Sequence, residues 1–182
     1  MHERNDGSSR RPWVAGMLLA GLLVVVGSGC AHFDMPVPEQ FVQVSRTDNH
    51  LAALTSQEDR LLVRHRGVPH EGSLAFWTDA VRSNFVTERG YTLIEESDLK
   101  TAGGVPGHRF LFEISMNEVP YRNVLVLFVT NGWAPEWLAK RLDLARQHIY
   151  TVEFLSEKEN YDTHAPALEK SLQAFEPLSG GL

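Results

Sequence analysis

The stretch from Arg109 to Val129 reads RFLFEISMNEVPYRNVLVLFV and carries the two clearest strand patterns in the chain. In its first part, Phe110, Phe112 and Ile114 recur at every second position, which is the period of a β-strand. In its last part, residues 124–129 are continuously apolar, as expected of a central strand covered on both faces. This stretch therefore predicts a sheet with a buried middle.

Further strand patterns lie on both sides of this stretch. Residues 51–55 and 61–66 flank a polar segment and predict a hairpin. A glycine-rich turn is expected to join a strand at 91–95 to the one at 109–115. The remaining strands are predicted at residues 41–44 and 149–155.

Two segments have the apolar spacing of amphipathic helices. The first begins at Ser73, whose hydroxyl suits an N-cap, and ends before Gly90, which suits a helix stop. The second is predicted at residues 163–175, with Pro166 in its first turn. Residues 133–148 fit either a short helix or an ordered loop, and we expect the short helix.

These elements predict one α+β domain over residues 41–178, with an antiparallel sheet of about six strands packed by two or three helices. A hairpin, a helix ending in Gly90-Tyr91, strands around a glycine turn and a closing helix follow one another over residues 41–176. This order resembles the PsbP-like domain, also found in bacterial DcrB-like lipoproteins. The resemblance implies a binding or assembly module rather than an enzyme, and it assigns no functional residue.

The N-terminus has the layout of an export signal. Arg10 and Arg11 precede an uncharged apolar run from Trp13 to Val26, which ends in the small residues of 27–29. As a helix this run would be about 21 Å long, which is shorter than the roughly 30 Å hydrocarbon core of a bilayer. A permanent membrane span is therefore the weaker interpretation. The pair Arg10-Arg11 also resembles a twin-arginine motif, although Trp13 stands where Phe is usual.

The segment Gly27-Ser28-Gly29-Cys30 resembles the lipobox of bacterial lipoproteins, and Cys30 is the only cysteine in the chain. The resemblance implies cleavage after Gly29 and lipid on Cys30, with removal of residues 1–29 as a signal peptide. Gly27 replaces the usual Leu, so an uncleaved anchor and ordinary signal cleavage remain alternatives. Because Ala31 rather than Asp follows the cysteine, the expected location in a Gram-negative cell is the outer membrane, facing the periplasm.

Residues 30–40 are predicted to form the lipidated cysteine and a short flexible tether. They contain Pro36 and Pro38 and show no apolar periodicity. A coil of about ten residues reaches less than about 20 Å. The domain is therefore expected to sit close to its membrane.

Composition and motifs argue against several classes of function. The chain has 17 Lys and Arg against 23 Asp and Glu, a net charge of −6, and contains no basic block, so nucleic acid is not an expected partner. No metalloprotease, thioredoxin-like, serine-hydrolase or P-loop signature is present. The segment 103–107 lacks the lysine of a phosphate loop and is expected to be a hairpin turn. The sequence thus predicts no catalytic residue and no cofactor.

Two sets of side chains contain the residue types of metal or acid-base sites. His65, His70 and Glu71 form the densest local set, but Pro69 separates the histidines, and surface histidines are the simpler interpretation. The other set is expected to be a solvated charged hairpin; its members are Glu95, Glu96 and Asp98. No metal site is predicted.

Two features suit binding. Arg60, Arg64 and Arg66 share one face of a predicted strand, and their guanidinium groups suit phosphate or carboxylate. The alternative is that they protect an exposed edge strand against aggregation. Trp133 and Trp137 lie beside two cations and suit a membrane interface or a protein contact, unless they pack in the core.

The sequence therefore predicts a lipoprotein of the cell envelope whose domain binds or assembles other envelope components. Its expected partners are the membrane, through lipid on Cys30, and an envelope protein or other anionic partner. An envelope hydrolase is the alternative if His and carboxylate side chains converge in one pocket. A small-ligand carrier would require a large apolar cavity between sheet and helices.

Overall fold

The computed structural model describes residues 32–132, 134–142 and 144–178. In chain order its elements are β1 (Phe33–Asp34), β2 (Val42–Thr47), β3 (His50–Leu54), β4 (Arg60–Val68), α1 (Leu74–Arg82), β5 (Thr92–Lys100), β6 (Pro106–Met116), β7 (Val119–Asn131), α2 (Glu136–Leu142), β8 (Gln147–Glu157), α3 (Lys158–Gln173) and β9 (Glu176–Pro177). A π-helical segment, Ser83–Glu88, continues α1.

Seven strands form one antiparallel sheet in the order β2-β3-β4-β8-β7-β6-β5, and β1 pairs with β9 in a separate two-stranded ribbon. The predicted α+β class is confirmed. β7 lies between β6 and β8, and the side chains of residues 123–128 are buried on both faces, as the continuous apolar run predicts. The predicted hairpin is β3 with β4, in which Leu51 lies opposite Val63.

The main core fills the space between one sheet face and α3. It is built by alternate residues of the central strands together with the inner stripe of α3, because each strand presents every second side chain to the same face. Large fully buried members of this core include Phe128, Tyr150, Phe154, Leu168 and Phe175.

The opposite sheet face is covered over only half of its width. There α1 and the π-helical segment pack on β5, β6 and β7, with Phe85 stacked on Phe112 at a ring distance of 5.0 Å. Ser73 caps α1 as predicted, because its Oγ accepts the backbone N–H of Phe76 at 3.0 Å. Gly90 follows with φ of +72°, a conformation that favours glycine.

The predicted flexible tether is wrong for residues 32–40, and the domain begins before residue 41. Phe33 and Met35 are 2% and 0% exposed and belong to the main core, with Val37 packed against it. β1 also pairs with β9 near the C-terminus. The prediction failed because the anchoring apolar residues, Phe33 and Met35, are too few to show a local period.

Two further expectations need correction. α3 begins at Lys158, directly after β8, so Pro166 lies inside the helix rather than in its first turn. The buried stripe Leu168 and Leu172 keeps the helix on the sheet despite the backbone hydrogen bond that a proline lacks. β4 is not an edge strand, because β3 and β8 flank it; the sheet edges are β2 and β5.

Candidate functional site

The uncovered half of the sheet face is formed by β2, β3, β4 and β8, and we call it the open face. Leu61 and Val63 of β4 enter the main core, so Arg60, Arg64 and Arg66 lie on the open face, as predicted. Alternate residues of a strand are about 7 Å apart, so the three arginines span one strand length. The side chain of Arg64 is 57% exposed.

Apolar side chains surround the three arginines. Leu62 lies opposite Ala52 on β3 and opposite Glu153 on β8. The other apolar members of the open face, assigned by the same alternation, are Val42, Leu54, Ile149 and Leu155. Because no helix covers them, they are half-buried or exposed.

Two acidic side chains of β8 lie on the open face by the same alternation. Glu157, at the end of the strand, accepts a hydrogen bond from Tyr121 Oη at 3.4 Å. Glu153 is also already engaged. Its carboxylate lies 3.5 Å from the guanidinium of Arg64 and accepts a hydrogen bond from Asn123 Nδ2 at 3.0 Å. Within the described residues, Arg60 and Arg66 take part in no ion pair. The open face therefore offers cationic groups within an apolar surface.

Of the two predicted tryptophans, Trp137 lies on α2 and is 67% exposed. Trp133 lies outside the described residues, as does Cys30. Ala139 is only 1% exposed and therefore marks the side of α2 that faces the domain, whereas Leu142 is 56% exposed. Trp137 therefore does not pack in the core, and it lies apart from the open face on the connection between β7 and β8.

The structure brings together three histidines that the sequence gives no reason to group. The ring of His32 stacks on that of His65 with centroids 4.1 Å apart, and His65 Nε2 lies 2.9 Å from His148 Nδ1. The other nitrogen, His65 Nδ1, donates to Asn49 Oδ1 at 2.8 Å. In the neutral form of His65, Nε2 then accepts a hydrogen bond from His148 Nδ1. We call His32, His65 and His148 the histidine trio.

Burial and repulsion between neighbouring rings favour the neutral forms of His65 and His148 by lowering their pKa values. Burial, followed by the neighbouring His32 and His148, lowers the pKa of His65 to about 4. Burial and His32 likewise lower the pKa of His148. Because the rings of His32 and His65 stack, their nitrogens do not converge on one point. Among the described residues, no group of three or more His, Cys, Asp or Glu side chains has the arrangement of a metal site.

The two sets singled out in the sequence do not form clusters of their own. His65 joins the histidine trio rather than His70, and Glu71 pairs with Arg146 at 2.7 Å. The three acids of β5 each lie beside a basic side chain of the sheet or of α1. These pairs are Glu95 with Arg109, Glu96 with Arg82, and Asp98 with His108.

A second unpredicted arrangement is a buried pair between the β3–β4 turn and α3. His164 Nε2 lies 3.1 Å from Asp59 Oδ2, and the two residues are 4% and 1% exposed. The same carboxylate accepts from the hydroxyl of Thr55 at 3.2 Å, and the ring of Phe41 packs against His164. The pair is closed off from solvent and joins two elements, so its arrangement suits a structural role.

One groove lies at the surface rather than between the sheet and the helices. It has a volume of about 450 Å³ and separates residues 36–40 from α3. Pro36, Val37 and Ala167 contribute apolar walls, and Lys170 pairs with Glu39 across its rim at 3.4 Å. It does not have the position expected of an internal carrier cavity.

No helix in the described part of the chain has both the length and the apolar character needed to cross a membrane. No family model matches the chain, and no curated protein matches it either.

Solved structures do share the fold. LpqN of Mycobacterium tuberculosis, a protein involved in cell envelope biogenesis, is 10% identical with a TM-score of 0.61, covering 79% of this chain and 81% of that one. Cyanobacterial PsbP from Synechocystis is 13% identical with a TM-score of 0.54, covering 83% of this chain and 95% of that one. A protein of unknown function from Pseudomonas aeruginosa is 9% identical with a TM-score of 0.50, covering 76% and 97% of the two chains. The chain therefore has the PsbP-like α+β fold that its order of elements predicts.

Proposed function

We propose that this protein is a lipoprotein of the bacterial cell envelope, held by lipid on Cys30 in the outer membrane and facing the periplasm. Its domain acts as a non-enzymatic binding module. The partner is an envelope protein that places an acidic amphipathic helix on the open face.

The observation that carries this proposal is the half-covered sheet. On one half of the face, α1 and the π-helical segment bury Phe110, Phe112 and Leu125, whereas no helix of the described residues covers Leu62 and its apolar neighbours on the other half. A helix added beside α1 would complete the layer, because a helix buries an apolar stripe against a sheet. Arg60 and Arg66 would then pair with carboxylates at the edges of that stripe, which selects an acidic helix over a neutral one.

Support for the envelope location comes from the sequence and the fold together. The basic, apolar and small-residue order of residues 1–29 before Cys30 is typical of exported lipoproteins. Two or three acyl chains bind a bilayer stably, whereas one binds only marginally. The fold of LpqN, a protein involved in cell envelope biogenesis, supports the same assignment by analogy.

The anchor is tested by intact mass and membrane fractionation in a Gram-negative host, with Cys30→Ala as the variant. We expect a mature chain that begins at Cys30, carries acyl groups and fractionates with the outer membrane. The variant should remain unprocessed. A wild-type chain without acyl mass would contradict the lipoprotein assignment.

The open face is tested by a photo-crosslinking amino acid placed at Leu62, with Lys100 on the edge strand β5 as the control position. We expect crosslinks from position 62 to a peptide rich in Asp and Glu, identified by mass spectrometry. The double variant Arg60→Glu/Arg66→Glu should reduce that crosslink at least tenfold, because it reverses the two unpaired charges. The matched variant Lys100→Glu/Lys170→Glu makes the same charge change elsewhere and should leave it unchanged. Equal crosslinking in both variants would refute an acidic partner.

A further inference from the structure

The docked N-terminal segment fixes where an anchor on Cys30 must leave the domain. His32 is held by the histidine trio, by its backbone N–H to Asp48 O at 3.0 Å and by its carbonyl, which accepts from Leu178 N at 2.9 Å. Only Ala31 lies between Cys30 and His32, and the two Cα–Cα steps from His32 to Cys30 span at most about 7 Å. The described chain therefore begins, at His32, at the sheet end where the histidine trio is found, and a lipid on Cys30 would be attached within that short distance of His32.

The helix α2 lies at this same sheet end. It belongs to the connection from Asn131 to Gln147, the residue before His148. Arg146 N donates to Val68 O at 3.0 Å at the end of β4, and Ala145 lies against Gly67, two residues beyond His65. The connection that carries α2 is thus packed against the strands that hold His32.

The outer surface of α2 has the composition of a membrane interface. Ala139 faces inward, so Trp137, Lys140 and Arg141 lie on the outward side of this short helix, and all three are exposed. Leu142 extends the apolar part at the C-terminal end of the helix. Tryptophan prefers the headgroup level of a bilayer, where its ring is apolar and its N–H is polar, and neighbouring cations attract anionic phosphates.

From these positions we propose that α2 contacts the membrane, with the Trp137 side chain inserted at the headgroup level and Lys140 and Arg141 on lipid phosphates. This inference rests on the proposed lipid anchor, which brings the bilayer to this sheet end. β4 and β8 both have one end here, so the open face extends away from the bilayer and stays accessible to a protein partner. Anchor and helix together fix the orientation of the domain, which neither contact fixes alone.

The test uses the full-length protein, purified as the processed lipoprotein and reconstituted in vesicles of phosphatidylethanolamine and phosphatidylglycerol. The lipid blocks the thiol of Cys30, so Trp137→Cys can be labelled with an environment-sensitive fluorophore. Asn117→Cys in the β6–β7 turn, at the opposite end of the sheet, is the matched control. Lipids carrying quenchers near the headgroup report contact with the bilayer.

We expect a blue shift and several-fold stronger quenching at position 137 than at position 117. Lys140→Glu/Arg141→Glu should abolish most of this difference, whereas Arg89→Glu/Lys158→Glu, which reverses two exposed charges at the opposite end of the sheet, should preserve it. Equal quenching at the two positions, in a chain whose mass shows the acyl groups, overturns the inference and leaves the anchor intact. A blue shift that increases with the number of protein molecules per vesicle but does not depend on the quencher lipid would indicate that position 137 contacts a second copy of the protein. That result also overturns the inference. A chain without acyl groups refutes the anchor, and this inference fails with it.

Discussion

Acid should destabilise the protein through the histidine trio, and His65→Phe should remove much of this effect. The pKa of His65 is about 4 in the folded protein and about 6.5 in an unfolded chain. Between these values the unfolded chain binds more protons than the folded one, so stability falls as pH decreases. The contribution of His65 is complete above pH 6.5 and is lost progressively as the pH falls from 6.5 to about 4.

The size of the effect follows from the pKa difference. At about 1.4 kcal/mol per pH unit, a difference of about 2.5 units corresponds to roughly 3.4 kcal/mol. The ring of His65 is only partly buried, and water screens part of its interactions, so we expect about 1–2 kcal/mol. His148 should add to the loss, because burial lowers its pKa in the same direction.

The measurement is urea unfolding followed by circular dichroism at pH 7.5 and pH 4.5. Phenylalanine at position 65 keeps the aromatic contacts with His32 and Tyr150 but cannot take up a proton. The wild-type protein should lose about 1–2 kcal/mol more than this variant over the interval. At pH 7.5 the variant itself should be about 1 kcal/mol less stable, since it lacks two hydrogen bonds.

The control is His70→Gln, which changes an exposed histidine outside the trio and should keep the wild-type pH dependence. Hydrogen exchange gives a second readout, since the amide of Leu178 donates to His32 O and its protection factor, which corrects for the slower intrinsic exchange in acid, should fall at pH 4.5. Identical losses of stability in the wild type and in His65→Phe would refute the role assigned to this ring.

Three further substitutions test the fold. Phe33→Ala should lower the free energy of unfolding by about 3–5 kcal/mol in urea titrations, because the ring is fully buried against Phe175. A loss below about 1 kcal/mol would instead support a flexible tether at residues 32–40. Asp59→Ala should cost about 3 kcal/mol in thermal unfolding, because His164 loses a buried partner, and an unchanged melting temperature would contradict this. Ser73→Ala should cost about 1 kcal/mol through loss of the N-cap, whereas Ser73→Asp should restore most of it.

The two proposals make different demands on the same domain. The proposed acidic partner requires Arg60 and Arg66 to be free for carboxylates, whereas the proposed membrane contact requires Trp137 and Lys140 at the bilayer. Because these surfaces belong to different elements, variants in one should leave the other unchanged. The free-energy changes of substitutions at distant sites without shared partners are additive. A variant that combines the open-face and α2 substitutions should therefore show the sum of the two separate effects.

Local patterns in the sequence determined which side chains share a face. The alternation around Phe110 and the apolar run at residues 124–129 predicted two strands and the burial of β7. Ser73 and Gly90 gave both limits of the first helical segment. Such patterns suffice because the periods of strand and helix are fixed by backbone geometry within a few residues. The arginine face of β4 was predicted for the same reason.

Only the tertiary structure decided which elements are neighbours. The insertion of β8 beside β4 turned an expected edge into a central strand, and the docking of Phe33 and Met35 removed an expected tether. The same pairings bring together His65 and His148, which are 83 residues apart in the chain. Pairing between distant strands depends on the total apolar surface that all of them bury together. A short segment of sequence does not determine this total buried apolar surface. The histidine trio and the open face could therefore be identified only from the folded structure.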